Sequence, residues 1–531
     1  MSRIIKHIKH KPHESIEIYT LCTCPDFAAF IIHKIVLLLY LRCKKNTEMT
    51  PNKPSHKIPS PWLSLLPISI LVALLALTIY IFGSDALGGG SQVSLLIATG
   101  VCVLIGMGVL RKPWADFEEA MVRNISGVGT AIIILLIIGA LSGAWVVSGV
   151  VPTLIYYGIQ VIHPDFFLLC TCIICAIVSV MTGSSWTTIA TIGIALMGIG
   201  KAQGFSEGWI AGAIISGAYF GDKVSPLSDT TVLASSTTGT PLFTHIRYLM
   251  YTTVPSLVIA LIIFGIAGLS HEATDTSYIA LFTNTLASKF HITPWLLLVP
   301  IITGILIAKR VSSIITLFTS TLLAAICAAI FQPQLLTEIA GNINGGWVES
   351  VKGSFMMLFG ATNLETSASE VNELISTRGM AGMMDTIWLI ICAMCFGGAM
   401  TAGGMIEGIT RILTRCTHRC TSMVASTVAS GLFFNIATAD QYISIILTGN
   451  MFKDIYHRNG YESRLLSRTT EDAVTVTSVL VPWNTCGMTQ ATILGVSTLT
   501  YLPYCFFNLI SPLMSILVAW TGYKITRKKV A

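Results

Sequence analysis

Long apolar runs separated by short polar loops set the pattern of this chain. The clear runs cover residues 62–83, 92–110, 128–150, 246–269, 293–308, 311–331, 385–405 and 500–522. Each is near the roughly 20 residues that an α-helix needs to cross a bilayer, so each is predicted as a membrane-spanning helix. Four further regions, 164–200, 208–238, 421–450 and 469–499, are as long but carry polar or small residues near the middle. Residues 332–384 are mixed. An apolar piece, Val351–Ala361, precedes a polar one, Asn363–Arg378, that reads as an external loop.

Two of the interrupted regions concentrate hydroxyls, amides and acids around a proline. One is Ser216-Gly-Ala-Tyr-Phe-Gly-Asp-Lys-Val-Ser-Pro-Leu-Ser-Asp-Thr-Thr231, broken at Pro226. The other is Glu471-Asp-Ala-Val-Thr-Val-Thr-Ser-Val-Leu-Val-Pro-Trp-Asn-Thr-Cys-Gly487, broken at Pro482. A broken helix frees backbone carbonyls and amides that lipid cannot satisfy, so the break must be packed in protein or line a watery cavity. Two such breaks, one per half of the chain, point to a secondary transporter.

Composition supports a membrane protein. The 531 residues are 53% hydrophobic and 11% charged, against roughly 25% charged in soluble domains. The length allows about a dozen crossings. The net charge of +6 predicts no nucleic-acid partner, because the basic residues sit at the termini and in short loops, where they set orientation. Most of the 14 cysteines stand singly in apolar runs, as small buried hydrophobes do. Cys416 and Cys420 with His418 make an incomplete metal set, and no cofactor is expected. Residues 1–60 form a basic extension with one interrupted apolar run, Phe27–Leu41. It is read either as a surface helix or as an upstream addition to a protein that starts at Met49. The remaining chain divides into a first transmembrane half (61–270), connecting spans with the external polar stretch (271–384), and a second transmembrane half with a basic tail (385–531).

Loop charge gives a topology. Basic segments Arg111–Arg123, Lys309-Arg310, Arg411–Arg419, Lys453–Arg468 and Lys524–Lys529 belong in the cytoplasm with both termini. Region 164–200 must then enter and return on the outside, turning near Thr182–Trp186. Region 421–450 must do so on the inside, turning near Asn435–Asp440. Each of these re-entrant hairpins precedes a Pro-broken crossing. Ser185 to Pro226 is 41 positions, and Thr438 to Pro482 is 44. The expectation is an all-α polytopic membrane protein with inverted-topology repeats, two re-entrant hairpins and two Pro-broken transmembrane helices.

The chemistry gathers at these breaks. The acids are Asp222, Asp229, Asp440, Glu471 and Asp472. Around them stand Ser184, Ser185, Thr187, Ser225, Ser228, Thr230, Thr438, Asn484 and Thr485. A charge at the bilayer centre costs about 2.5–3.5 kcal/mol on insertion scales. Any single hydroxyl in a membrane helix is accounted for by back-bonding to the preceding turn; a cluster at two matched breaks is not. Hard cations take carboxylate, hydroxyl, amide and freed carbonyl oxygens, and a buried acid can instead be neutralised by a proton. The set fits a monovalent cation exchanging with protons. Half-helix N-termini also suit an organic carboxylate, but Arg411 and Arg468 read as loop charges, which leaves no clamp for one. The Gly397–Gly404 region reads as close helix packing, with Glu407 following on the same helix. His271-Glu272 lacks the second histidine of a zinc hydrolase.

Gly183-Ser-Ser-Trp-Thr-Thr188, the Ser216–Thr231 and Leu480–Gly487 stretches, Met384–Leu389 and Phe396-Gly-Gly398 resemble the NhaC-type Na+/H+ antiporter family, over roughly residues 60–525. The resemblance implies an inner (plasma) membrane antiporter, with Na+ leaving against proton entry and related members exchanging malate for lactate. It carries Asp222, Ser225, Asp229, Thr230, Asn484 and Thr485 over as site residues, with Na+ placed at Asp222, Asp229, Asn484 and Thr485. Val474 departs from it, standing where a glycine is expected. Na+ and H+ are the expected partners, with Li+, small organic acids and a homodimer also admitted.

Overall fold

Every regular element among the described residues is helical; the one β-type contact is an isolated bridge between Thr362 and Thr377. The computed structural model describes residues 59–525 apart from 83–88, 271–275, 310, 342–344, 363, 367–370, 373–374 and 414–418. The N-terminal extension with Phe27–Leu41 and Met49, the His271-Glu272 pair, Cys416 and His418 lie outside the described residues. Eight described helices are long and apolar enough to cross a membrane, and ten if each of two bent pairs counts as one span. The chain is therefore a multi-pass membrane protein. Its outer faces agree, with Leu104, Ile266, Leu513 and Trp520 all more than 60% exposed.

Predicted spans 62–83, 92–110, 128–150, 246–269, 311–331 and 385–405 correspond to Pro61–Phe82, Gly90–Gly108, Gly129–Val147, Leu242–Leu269, Ser313–Phe331 and Met384–Ala402. Two predicted spans are bent. Thr283–Lys289 turns by 95° into Pro294–Ala308, and Thr498–Tyr504 by 56° into Phe506–Thr521. The basic segment Arg111–Arg123 is not simply a loop. Trp114–Gly127 is a helix that buries Phe117, Ala120 and Asn124 against Met384–Ala402, the i, i+3, i+7 stripe of an amphipathic helix. Val351–Ala361 belongs to a helix, Trp347–Phe359. Met384–Ala402 ends before Gly403-Gly404, so Glu407 lies on a separate helix, Met405–Leu413, and is exposed.

The interrupted regions show one order of local structure twice. Phe167–Thr182 ends at Gly183 in the left-handed conformation. Ser184 then caps the following helix by accepting from the backbone amide of Thr187. Cys420–Thr438 ends at left-handed Ala439, and Asp440 caps Gln441–Arg458 by accepting from Ile443. These points are called the first and second tips. The next segments break alike. Glu207–Val224 stops at Ser225, extended at ψ 131°; the run Ser463–Thr470, Glu471–Thr475 and Ser478–Leu480 stops at Val481, extended at ψ 116°. Proline forces this, because its ring excludes the residue before it from the helical region. Ser228 and Asn484 then cap short helices, Asp229–Thr238 and Thr485–Leu494, which end at left-handed Gly239 and Gly495.

Tips and breaks pack together. A methyl on Gly183 would stand 2.6 Å from Cβ of Leu227, inside the first break. The Ser225 hydroxyl donates to the carbonyl of Val180 at 2.9 Å. Gly397 brings the Met384–Ala402 helix onto the second tip, where a side chain would meet the Thr438 carbonyl at 2.4 Å. This is the close packing that its sequence suggested. A cavity of ≈ 750 Å³ separates Ser142 and Leu389 on the long helices from Met197, which follows the first tip, and from Met488 and Thr492, which follow the second break.

Candidate functional site

The first cluster forms where the first tip meets the first break. Asp222, 5% exposed, lies in the last turn before the break. Its Oδ2 accepts from the Ser185 hydroxyl at 2.7 Å and its Oδ1 from the Ser228 hydroxyl at 2.6 Å. Ser228 also pairs with the Thr230 hydroxyl at 2.8 Å. Asp229, exposed at the start of the short helix, accepts from the Tyr442 hydroxyl at 2.7 Å. Ser184 and Thr187 supply the cap of the tip. Pro226 is exposed and Pro482 half-buried.

The second cluster repeats the arrangement. Asp440 accepts from the backbone amide of Ile443 at 2.9 Å and from the Thr485 hydroxyl at 3.3 Å. The Thr485 amide donates to the carbonyl of Ala439 at 2.9 Å, tying break to tip. Asn484 caps the short helix and donates to the Asn435 carbonyl at 3.1 Å. The Thr438 hydroxyl back-bonds to Phe434 at 2.9 Å and also meets Ser444. The four residues assigned to Na+ from the sequence thus divide. Asp222 bonds within the first cluster, Asn484 and Thr485 bond with Asp440, and Asp229 meets Tyr442 between them. Cys486 also adjoins both, donating to Gln441 at 2.7 Å and lying beside Tyr219 and Trp186.

A third cluster is fully buried. Lys223 donates to Asp472 and, at 2.9 Å, to the Ser511 hydroxyl, with its ammonium 5.6 Å from the Phe507 ring. Asp472 also accepts from Thr252 and Ser511, each at 3.1 Å. Lys223 therefore pairs with an acid 249 positions away and not with its neighbour Asp222. Glu471 and Asp472 do not cap a helix at the membrane surface; both sit in a π-turn, Glu471–Thr475, a form frequent at functional sites. Val474 in that turn fills the space beside Gly431. The reading of Arg468 as a loop charge is wrong. It is fully buried, 4.8 Å over the Tyr248 ring and 3.9 Å from Asp472 Oδ2. Leucines at 465 and 466 were the available signal that Ser463–Thr470 faces inward. Tyr442 and His245 were missed too. The His245 ring bonds Ser467 within this buried polar region.

Comparison with known proteins is decisive at this point. A family model described as "Na+/H+ antiporter family" matches residues 217–523, which include both breaks. A protein named Na(+)/H(+) antiporter NhaC from Alkalihalophilus pseudofirmus is 35% identical over 467 residues, covering 88% of this chain and 96% of the relative. The chain belongs to the Na+/H+ antiporter family, NhaC type. Within that family, a Bacillus subtilis protein also named Na(+)/H(+) antiporter NhaC is 36% identical over 410 residues, 77% of this chain and 87% of the relative. A malate-2H(+)/Na(+)-lactate antiporter from the same organism is 35% identical over 433 residues, 81% of this chain and 89% of the relative.

Proposed function

We propose that the chain is a secondary antiporter that exports Na+ in exchange for H+ by alternating access, in a cell membrane with both termini cytoplasmic. One observation carries this reading. Among the described residues, four acids are buried, Asp222, Asp440, Glu471 and Asp472, against two Lys or Arg side chains, Lys223 and Arg468. Two negative charges are left over when all four acids are ionised. Uncompensated charge in a low-dielectric interior is costly, so the site calls for incoming cations, either metal ions or protons.

The first cluster supplies Na+ with Asp222 and Asp229 and the hydroxyls of Ser185 and Ser228; the second supplies Asp440, Asn484 and Thr485. Oxygen ligands of these types suit a hard cation. The repeated order of left-handed residue, cap, proline break and second cap supports an inverted-topology repeat with two re-entrant hairpins. The cavity between the long helices and the broken ones offers an access route. If unequal charges exchange, each net charge moved contributes about 2.3 kcal/mol per 100 mV.

An organic-anion exchanger would use Arg468, the buried guanidinium. Its nitrogens are enclosed, with no open surface beside them, and the buried charge balance is already negative. Cation exchange is therefore the better reading. The test is reconstitution with an outward Na+ gradient and an internal pH dye. Sodium should drive proton entry, and Asp229→Asn and Asp222→Asn should abolish it. Unchanged flux in both variants removes the first cluster from the mechanism.

A further inference from the structure

Glu471 is the buried acid that the sodium clusters leave unused. It is fully buried, and neither carboxyl oxygen has a hydrogen bond or any open surface. The Thr475 hydroxyl, four residues on, faces it without closing a hydrogen bond. Its neighbour Asp472 is the opposite case, held by Lys223, Thr252 and Ser511.

A buried carboxylate is stabilised by donors, by a metal ion or by a proton. Here the Thr475 hydroxyl is the donor at hand, and it closes no hydrogen bond. Sodium needs several oxygens around a vacant centre, and the enclosed oxygens of Glu471 leave no such space. A proton needs none. The charged and titratable groups of this buried polar region sit on several elements. Glu207–Val224 presents Asp222 and Lys223. The turn's own segment presents Arg468 and Asp472. Further out, Leu242–Leu269 carries His245, bonded to Ser467, and Tyr248, under Arg468; Gln441–Arg458 carries Tyr456, bonded to Thr427; and Asp229–Thr238 carries Asp229, bonded to Tyr442, so each of these is engaged away from Glu471. Cys420–Thr438 and Phe506–Thr521 contribute no Asp, Glu, Lys, Arg or His. Both nearby cations are directed at Asp472, Lys223 by a hydrogen bond and Arg468 at 3.9 Å.

We propose that Glu471 is the proton-carrying acid of the exchanger, at a site separate from the sodium-binding oxygens of Asp222. The inference rests on the exchanger reading. Coupling between the two sites is electrostatic. Glu471 lies within the field of Asp222. Sodium on Asp222 cancels the negative charge that favours a proton on Glu471, so sodium entry favours proton release. The reverse holds when sodium leaves. Lys223 is adjacent to Asp222 in the chain, bonded to Asp472, and within the field felt by Glu471.

The test uses the full chain in proteoliposomes and reads two fluxes, exchange of radioactive sodium against sodium, and sodium-driven proton entry. Glu471→Gln imitates the protonated acid. It should keep sodium–sodium exchange within about twofold of wild type and lose sodium-driven proton flux at least tenfold. Glu471→Asp should recover part of that flux. Retained proton coupling in Glu471→Gln overturns the proposal. A wild-type chain with no sodium-driven proton flux removes the exchanger reading itself, which is a distinguishable result. If Glu471→Gln does not fold, infrared difference spectra of wild type decide. A protonated carboxyl band that loses intensity on adding sodium supports the assignment, and no such band overturns it.

Discussion

Replacing Lys223 with methionine tests the contact that ties the two broken segments together. Lys223 and Asp472 are 249 residues apart in sequence and fully buried. Removing one partner of a buried pair costs about 3–5 kcal/mol, because it strands the other charge. In Lys223→Met, Asp472 keeps the hydroxyls of Thr252 and Ser511 and the nearby Arg468, which puts the loss near the low end, about 3 kcal/mol. In Asp472→Asn, Lys223 keeps Ser511, the face of Phe507 and an amide oxygen, but it and Arg468 both lose the negative charge opposite them, so the cost is nearer to about 4 kcal/mol. The double variant strands neither member of the pair, and only Arg468 loses its acid. It should be less destabilised than the two singles combined by about 2–3 kcal/mol, the range of directly coupled neighbours. Reversible unfolding in mixed micelles, followed by tryptophan fluorescence, measures all four corners of this cycle. Additivity within about 0.5 kcal/mol would refute the pair and with it the placement of the two broken segments side by side.

Three further outcomes follow from the geometry. Gly183→Ala forces a side chain into a left-handed position, φ +68°, and against Leu227. It should cost at least about 1–2 kcal/mol and reduce flux at normal membrane insertion; a fully active, equally stable variant would show that the tip and break do not touch. Tyr442→Phe removes the hydroxyl on Asp229 at an exposed position. It should raise the sodium concentration for half-maximal flux about fivefold, equivalent to about 1 kcal/mol. Ser228→Ala removes both a helix cap and a donor to Asp222. It should destabilise by about 1–2 kcal/mol and weaken sodium activation more than Tyr442→Phe does, as a titration of dye-reported flux will show.

The breaks were legible because their causes are local. Pro226 and Pro482 dictate an extended residue before them, and Ser228 and Asn484 are strong caps. The tips were legible from Gly183-Ser184 and from Asp440 among apolar neighbours. The buried charge cluster was not. Ser463–Thr470 is rich in hydroxyls and arginine, a composition shared by a solvated loop and an interior polar network. Only the partners Tyr248, Thr252 and Ser511, all distant in sequence, distinguish them. For the same reason the partner of Lys223 is hidden in the sequence, where its neighbour is Asp222 and its actual partner, Asp472, lies 249 positions away. The Trp114–Gly127 helix carried a visible 3.6-residue stripe, but its basic residues drew the reading toward a loop.

Direct binding of radioactive sodium to the purified protein, measured across pH, tests the central claim that cations satisfy the surplus buried acids. Saturable sodium binding that weakens as protons are added, and that vanishes in Asp222→Asn, is the predicted result. Binding of a labelled carboxylate with no sodium bound at any pH would contradict it.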